Sequence, residues 1–193
     1  MERKLHIIGI SGSLRKASFN RMLLRAAGEL MPAEAELEIL EIGDLPYYNQ
    51  DVDEAGAPPV VQEFRDKVRA ADALLFAVPE YNYSLTGVLK NAIDWASRPV
   101  ATSALRGKPT AVMGASGGAF GTVRAQLHFR QVAVFCDMHM VNKPEIMVRE
   151  PSRKFGPNGR LDDEETQQLV RQLLVSLVEW TQVLQHGRAY VSR

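Results

Sequence analysis

Ala73-Leu74-Leu75-Phe76-Ala77-Val78 is an unbroken apolar run of strand length that stops at Pro79. A strand without a polar side has to be covered on both faces, so this run predicts the centre of a parallel sheet with helices above and below it. The rest of the chain supplies matching parts. An apolar strand precedes Ser11, and Phe19, Met22, Leu23, Ala26, Ala27, Leu30 and Met31 then recur at spacings of three and four, an amphipathic helix stopped near Pro32. Residues 36–42 predict a second strand whose partial alternation suits a sheet edge, and residues 43–57 read as an irregular acidic segment. Pro58 and Pro59 open a helix with Val60, Val61, Phe64, Val68 and Ala71 on one face.

After the central run come a helix from about Thr86 to Ser97, a strand over Pro109–Met113 and a helix from about Thr122 to Cys136. The fifth strand has two candidates, Met138–Val141 and Glu145–Val148. A long terminal helix follows the acids Asp162-Asp163-Glu164-Glu165, which suit its positive start, and Gly187 is placed to end it. Strands and helices alternating in this way predict a five-stranded parallel sheet of order 2-1-3-4-5 with helices on both faces, built as a single domain over residues 1–193. In that order the loops after strands one, three and four meet at one edge.

Those three loops are the chemically unusual ones. Ser11, Ser13, Ser18 and Asn20 bring four hydroxyl or amide groups into ten residues, with Arg15 among them and Gly12 letting the chain pass close to a ligand. Placed between a strand and a helix start, this set reads as a phosphate cup. A capped helix start explains Ser18 or Asn20 but not the whole group. The loop Pro79-Glu80-Tyr81-Asn82-Tyr83 and the loop Ser116-Gly117-Gly118 would flank a flat group extending from that phosphate, Tyr81 through its ring and the glycines through bare N–H groups. Flavin mononucleotide has that shape. Taken singly, the glycines also fit a tight turn, Tyr81 loop packing, and Trp95 the core.

Composition narrows the function classes. The chain has 193 residues, 23 basic and 23 acidic, and is 46% hydrophobic, which gives no overall pull toward nucleic acid or anionic membrane. Residues 1–25 carry six Lys or Arg against one acid and residues 26–54 nine acids and no base, so the basic excess overlaps the phosphate cup. Cys136, alone and in an apolar setting, reads as core; His6, His128, His139 and His186 are scattered and make no metal site. No apolar leader or run of transmembrane length is present, so a cytoplasmic protein is expected.

Gly12-Ser13-Leu14-Arg15-Lys16-Ala17-Ser18-Phe19-Asn20, Pro79-Glu80-Tyr81-Asn82-Tyr83-Ser84 with Leu89-Lys90-Asn91-Ala92-Ile93-Asp94-Trp95, and Ser116-Gly117-Gly118 together resemble the NADPH-dependent FMN reductase family, from strand one to about Val148. The resemblance implies a flavodoxin-like three-layer sandwich. It also implies FMN as cofactor, NAD(P)H as co-substrate, and a quinone, flavin, azo dye or chromate as acceptor in a ping-pong reaction whose chemistry the FMN carries. By the same resemblance Ser13, Arg15, Ser18 and Asn20 bind the FMN phosphate. Pro79, Glu80, Tyr81 and Asn82 meet the isoalloxazine ring, chiefly through backbone atoms, and Ser116, Gly117 and Gly118 meet its pyrimidine side. A homodimer or homotetramer is expected, with the apolar helix around Leu85 to Trp95 as candidate surface. Two other readings compete. Gly114-Ala115-Ser116-Gly117-Gly118, with Asp162 and His186, follows the order of a serine hydrolase. A flavodoxin-type electron carrier would use the same cup.

Overall fold

The computed structural model describes residues 3–191. Its strands are β1 (Leu5–Ser11), β2 (Ala35–Leu40), β3 (Ala73–Ala77), β4 (Pro109–Ser116), β5 (His139–Met140) and β6 (Ile146–Arg149). The helices are α1 (Phe19–Glu29), α2 (Gln50–Glu54), α3 (Pro59–Ala70), α4 (Gly87–Ala96), α5 (Val123–Phe135) and α6 (Glu164–Val191). The sheet runs β2-β1-β3-β4, with β5 and β6 both on the outer edge of β4, and every pairing is parallel.

Alternation along the central strands divides the core in two. Ile7, Leu75 and Met113 pack with Leu23 and Leu24 of α1 and Leu173 and Leu177 of α6. Ile8, Phe76 and Val112 face the other way, onto Phe64 and Val68 of α3, Ile93 of α4 and Phe129 of α5. Leu75 and Phe76 are each almost fully buried, so truncating either to Ala would cost about 3 kcal/mol. A flavodoxin-like three-layer sandwich results.

The fifth position differs from the sequence reading. Both candidate segments form strands: β5 pairs with Pro109 and Thr110 at one end of β4, and β6 with Met113 to Ser116 at the other. Pro144 lies between them and has no N–H to donate, which breaks the ladder. Among the described residues there are therefore six strands in five positions. Gly187 does not end the last helix, which runs through it to Val191. A glycine cap there would be left-handed, and Gly187 is not.

The helix expected to offer an interface is core instead. Leu89, Ala92, Ile93 and Trp95 of α4 are buried. Its polar residues fasten the acidic segment: Asn91 Nδ2 and Trp95 Nε1 donate to Pro46 O at 2.9 and 2.7 Å, and Asn91 Oδ1 accepts from Tyr48 N at 2.7 Å. Further along, Asp53 takes both guanidinium nitrogens of Arg65 at 2.8 Å in a largely buried pair. The segment is thus pinned and contains α2.

Candidate functional site

Loop one follows β1. Gly12 N donates to Ala77 O at 2.9 Å, and Thr86 Oγ1 donates to Gly12 O at 2.7 Å, which ties this loop to the one after β3. A Cβ at Gly12 would lie 2.8 Å from Pro79 Cδ, so a side chain there would force the two loops apart. Beyond Gly12 the hydroxyls order the turn. Ser11 Oγ accepts from Ser13 N, Ser13 Oγ from Arg15 N, and Ser18 Oγ caps α1 by accepting from Arg21 N at 3.4 Å. All three are buried, yet none donates its own hydrogen within the described residues. The amides of Leu14, Lys16, Ala17, Phe19 and Asn20 likewise have no described protein acceptor. Arg15 is exposed and without an ion pair among the described residues. Buried hydroxyls and open amides with no described protein acceptor, at a helix start, suit an anion.

Asn20 is placed differently from the rest of its loop. Its Oδ1 accepts from Ala115 N at 2.9 Å and its Nδ2 donates to Ala115 O at 2.8 Å, bridging α1 to the end of β4. The bridge uses two of the four hydrogen-bonding positions of the amide and leaves one donor and one acceptor.

The loop after β3 is a tight reversal. Tyr81 and Ser84 exchange backbone hydrogen bonds at 3.0 Å, and Asn82 and Tyr83 between them have φ of 51° and 64°. Two left-handed residues make a type I′ turn, which Asn tolerates and Tyr resists at a cost of about 1 kcal/mol or more. Rings are left outward: Tyr81 is 50% exposed and Tyr83 67%. Glu80 points the other way. Its Oε2 accepts from the amides of Arg124 and Ala125 at 2.9 and 3.2 Å, and its Oε1 from the Arg124 guanidinium at 3.2 Å. The carboxylate therefore caps α5 from a distant loop, and the Arg124 guanidinium lies 3.9 Å over the Tyr83 ring.

The loop after β4 opens with Ser116, whose Oγ accepts from Gly118 N at 3.2 Å. Neither Gly117 nor Gly118 is left-handed, and a Cβ on Gly117 would meet nothing within 4 Å. Gly117 leaves room, and Gly118 opens a turn in which its carbonyl accepts from Gly121 N at 3.1 Å. Gly114 is their opposite, since a Cβ there would come within 2.4 Å of Val78 O. Ser116 is not left-handed, as the strained serine of a hydrolase elbow would be, and the exposed His186 ring bonds to Gln182 O in its own helix at 2.7 Å.

Contacts at 2.8 to 3.2 Å thus tie loop one to the end of β4 through Asn20 and the loop after β3 to α5 through Glu80. Sequence reasoning missed Thr86, Arg124 and Ala115. Only Thr86, a Thr ahead of a helix, carried a local signal.

The family model for NADPH-dependent FMN reductase matches residues 5–152. An NAD(P)H-dependent FMN reductase of Pseudomonas aeruginosa is 50% identical over 95% of this chain and 99% of its own. An NAD(P)H:quinone oxidoreductase of Solanum tuberosum is 48% identical over 90% and 91%. Among solved structures, a flavoenzyme NAD(P)H:(acceptor) oxidoreductase from Paracoccus denitrificans superposes with a TM-score of 0.85 at 35% identity, covering 92% of this chain and 97% of its own. With a family match over most of its length and relatives at this identity, the chain belongs to the NADPH-dependent FMN reductases.

Proposed function

We propose that the protein is an FMN-dependent NAD(P)H:quinone oxidoreductase working by a ping-pong mechanism. One observation carries the reading: three buried hydroxyls and the neighbouring amides of loop one keep donors that the protein does not use, beside the start of α1. An FMN phosphate needs such donors, so the residues present fit the group. Ser13, Ser18 and the loop amides would hold the phosphate, with Arg15 closing over it, while Asn20 keeps α1 and β4 in place. Ser11 supports the loop from below through its bond to Ser13 N. Pro79, Glu80, Tyr81 and Asn82 would border one side of the ring, and Ser116, Gly117 and Gly118 the other.

When bound, FMN would supply the hydride chemistry that links reduced nicotinamide to a quinone. The chain's own part is to bind, orient and leave room. The unblocked space at Gly117 admits a second flat molecule, and the outward Tyr81 ring gives it a face to stack on. The name of one relative, a 2-hydroxy-1,4-benzoquinone reductase of a Burkholderia species, 40% identical, supports a quinone as acceptor. Azo dyes, chromate and free flavin are further acceptors to rank in the same assay. Direct oxidation of NADPH separates this reading from an electron carrier, which would need a partner enzyme. Phe120, Leu127, Val134 and Phe135 expose apolar surface on and ahead of α5, which supports a homodimer or homotetramer joined there rather than through α4; light scattering tests it.

Purified protein supplied with FMN is expected to show a bound-flavin spectrum and to oxidise NADPH rapidly with 1,4-benzoquinone, giving parallel double-reciprocal lines. NADPH consumption no faster than the protein-free rate would overturn the proposal. Arg15→Ala should weaken FMN binding about tenfold, the loss of one charge-assisted contact, with little change in the rate of loaded enzyme.

A further inference from the structure

Beside the Gly117 loop lies a hollow of about 650 Å³, a size that holds a drug-sized ligand. One wall is Gly117, Gly118 and Ala119; the other is the end of β6, the turn after it and the first turns of α6. Arg149 lines the hollow. Strand register sets Arg149 directly beside Ser116, so its side chain belongs to the same sheet edge as the flavin loops.

The charges of the hollow are sorted in a way that leaves two over. Lys154 is paired with Asp163 at 2.9 Å, and Glu150 with Arg153 at 3.1 Å. Arg149 and Glu165 both line the hollow and have no ion-pair partner among the described residues. An unpaired guanidinium can take two phosphate oxygens, and an unpaired carboxylate can accept from the free 3′-hydroxyl of a ribose that carries a 2′-phosphate. A cation and an anion together suit a phosphorylated nucleoside better than a simple anion, which Glu165 would repel.

Building on the oxidoreductase reading, we propose that this hollow holds the adenosine-phosphate half of the nicotinamide dinucleotide, with Arg149 gripping a phosphate and Glu165 the ribose. The nicotinamide then reaches the open space at Gly117 along the wall the two places share. Arg149 is a binding residue for the co-substrate and takes no part in holding FMN.

Two measurements on FMN-loaded protein test this, using Arg149→Ala, an exposed position whose change leaves the core untouched. Calorimetry with adenosine 2′,5′-bisphosphate should show binding to the wild type and at least tenfold weaker binding to the variant. In steady state, the ratio of kcat/KM for NADPH to that for 1-benzyl-1,4-dihydronicotinamide, a hydride donor without phosphate, should fall at least tenfold, chiefly through KM. Equal loss with both donors, loss of bound FMN, or unchanged bisphosphate binding would overturn the inference. A wild type that binds the bisphosphate but oxidises no NADPH would refute the oxidoreductase reading and leave the hollow's assignment standing.

Discussion

The starts of α1 and α5 lie at the same edge of the sheet and carry the same partial positive charge, about half a unit each. The protein treats them in opposite ways. At α5 the Glu80 carboxylate sits on the first free amides at 2.9 and 3.2 Å. At α1 there is no acid in the first turn, the cap is the neutral Ser18, and Arg15 adds a cation. A helix start binds an external anion only where the chain has not filled it with its own. Of these two, only α1 is open to a phosphate.

Exchanging the two arrangements tests the comparison most severely. Ser18→Asp puts a carboxylate where the phosphate would sit. Asp caps a helix as well as Ser does, so the melting temperature should move by no more than about 3 °C. FMN affinity should fall about a thousandfold, the scale of one close like-charge contact of about 4 kcal/mol in a partly screened site. Loss of stability and affinity together would mean that the cup is only a structural turn. The reverse experiment is Glu80→Ala, which leaves two amides and Arg124 without their acceptor and should cost about 3 kcal/mol, roughly 10 °C in melting temperature. Added inorganic phosphate should then stabilise the variant more than the wild type, because the vacated start of α5 has become an anion site. Equal stabilisation of both would show that emptying a helix start does not suffice.

The two regions also differ in how far they could be read from sequence. The α1 start is contiguous: strand, hydroxyl-rich loop, cap and helix follow within Leu5–Glu29, and the serine hydroxyls each accept from an amide two or three residues on. The α5 start is not, because its anion arrives from a loop 44 residues earlier and no acid marks the helix itself. Asn20 shows the same limit within one motif. Its type fits the cup, yet its bonds run to Ala115, 95 residues away. The apolar stripe of α4 is legible as a buried face but not as buried here rather than in an interface, since that depends on α3 and the pinned segment at Pro46 coming over it. The split of the fifth strand follows from Pro144, a breaker that a search for apolar runs passes over.

A third helix start, that of α6, refines the comparison at a smaller scale. Asp163 precedes the helix and accepts from Thr166 N at 2.9 Å and from the Thr166 hydroxyl, with Lys154 at 2.9 Å. The Thr166 hydroxyl first, and then Lys154, hold the Asp163 carboxyl down at about 2, below its usual 3.8. A carboxyl depressed by folding stabilises the native state above its unfolded value, and that stabilisation is lost as pH falls from about 4 through about 2. Asp163→Asn should therefore lower stability near pH 7 by about 1 kcal/mol, the worth of a cap in a partly exposed position. Thermal melts of both proteins should converge as the pH falls through that window. A gap that stays constant down to pH 2 would mean that the side chain acts through shape and not charge. FMN affinity should not change in this variant, because α6, like α5, has already been given its anion by the chain.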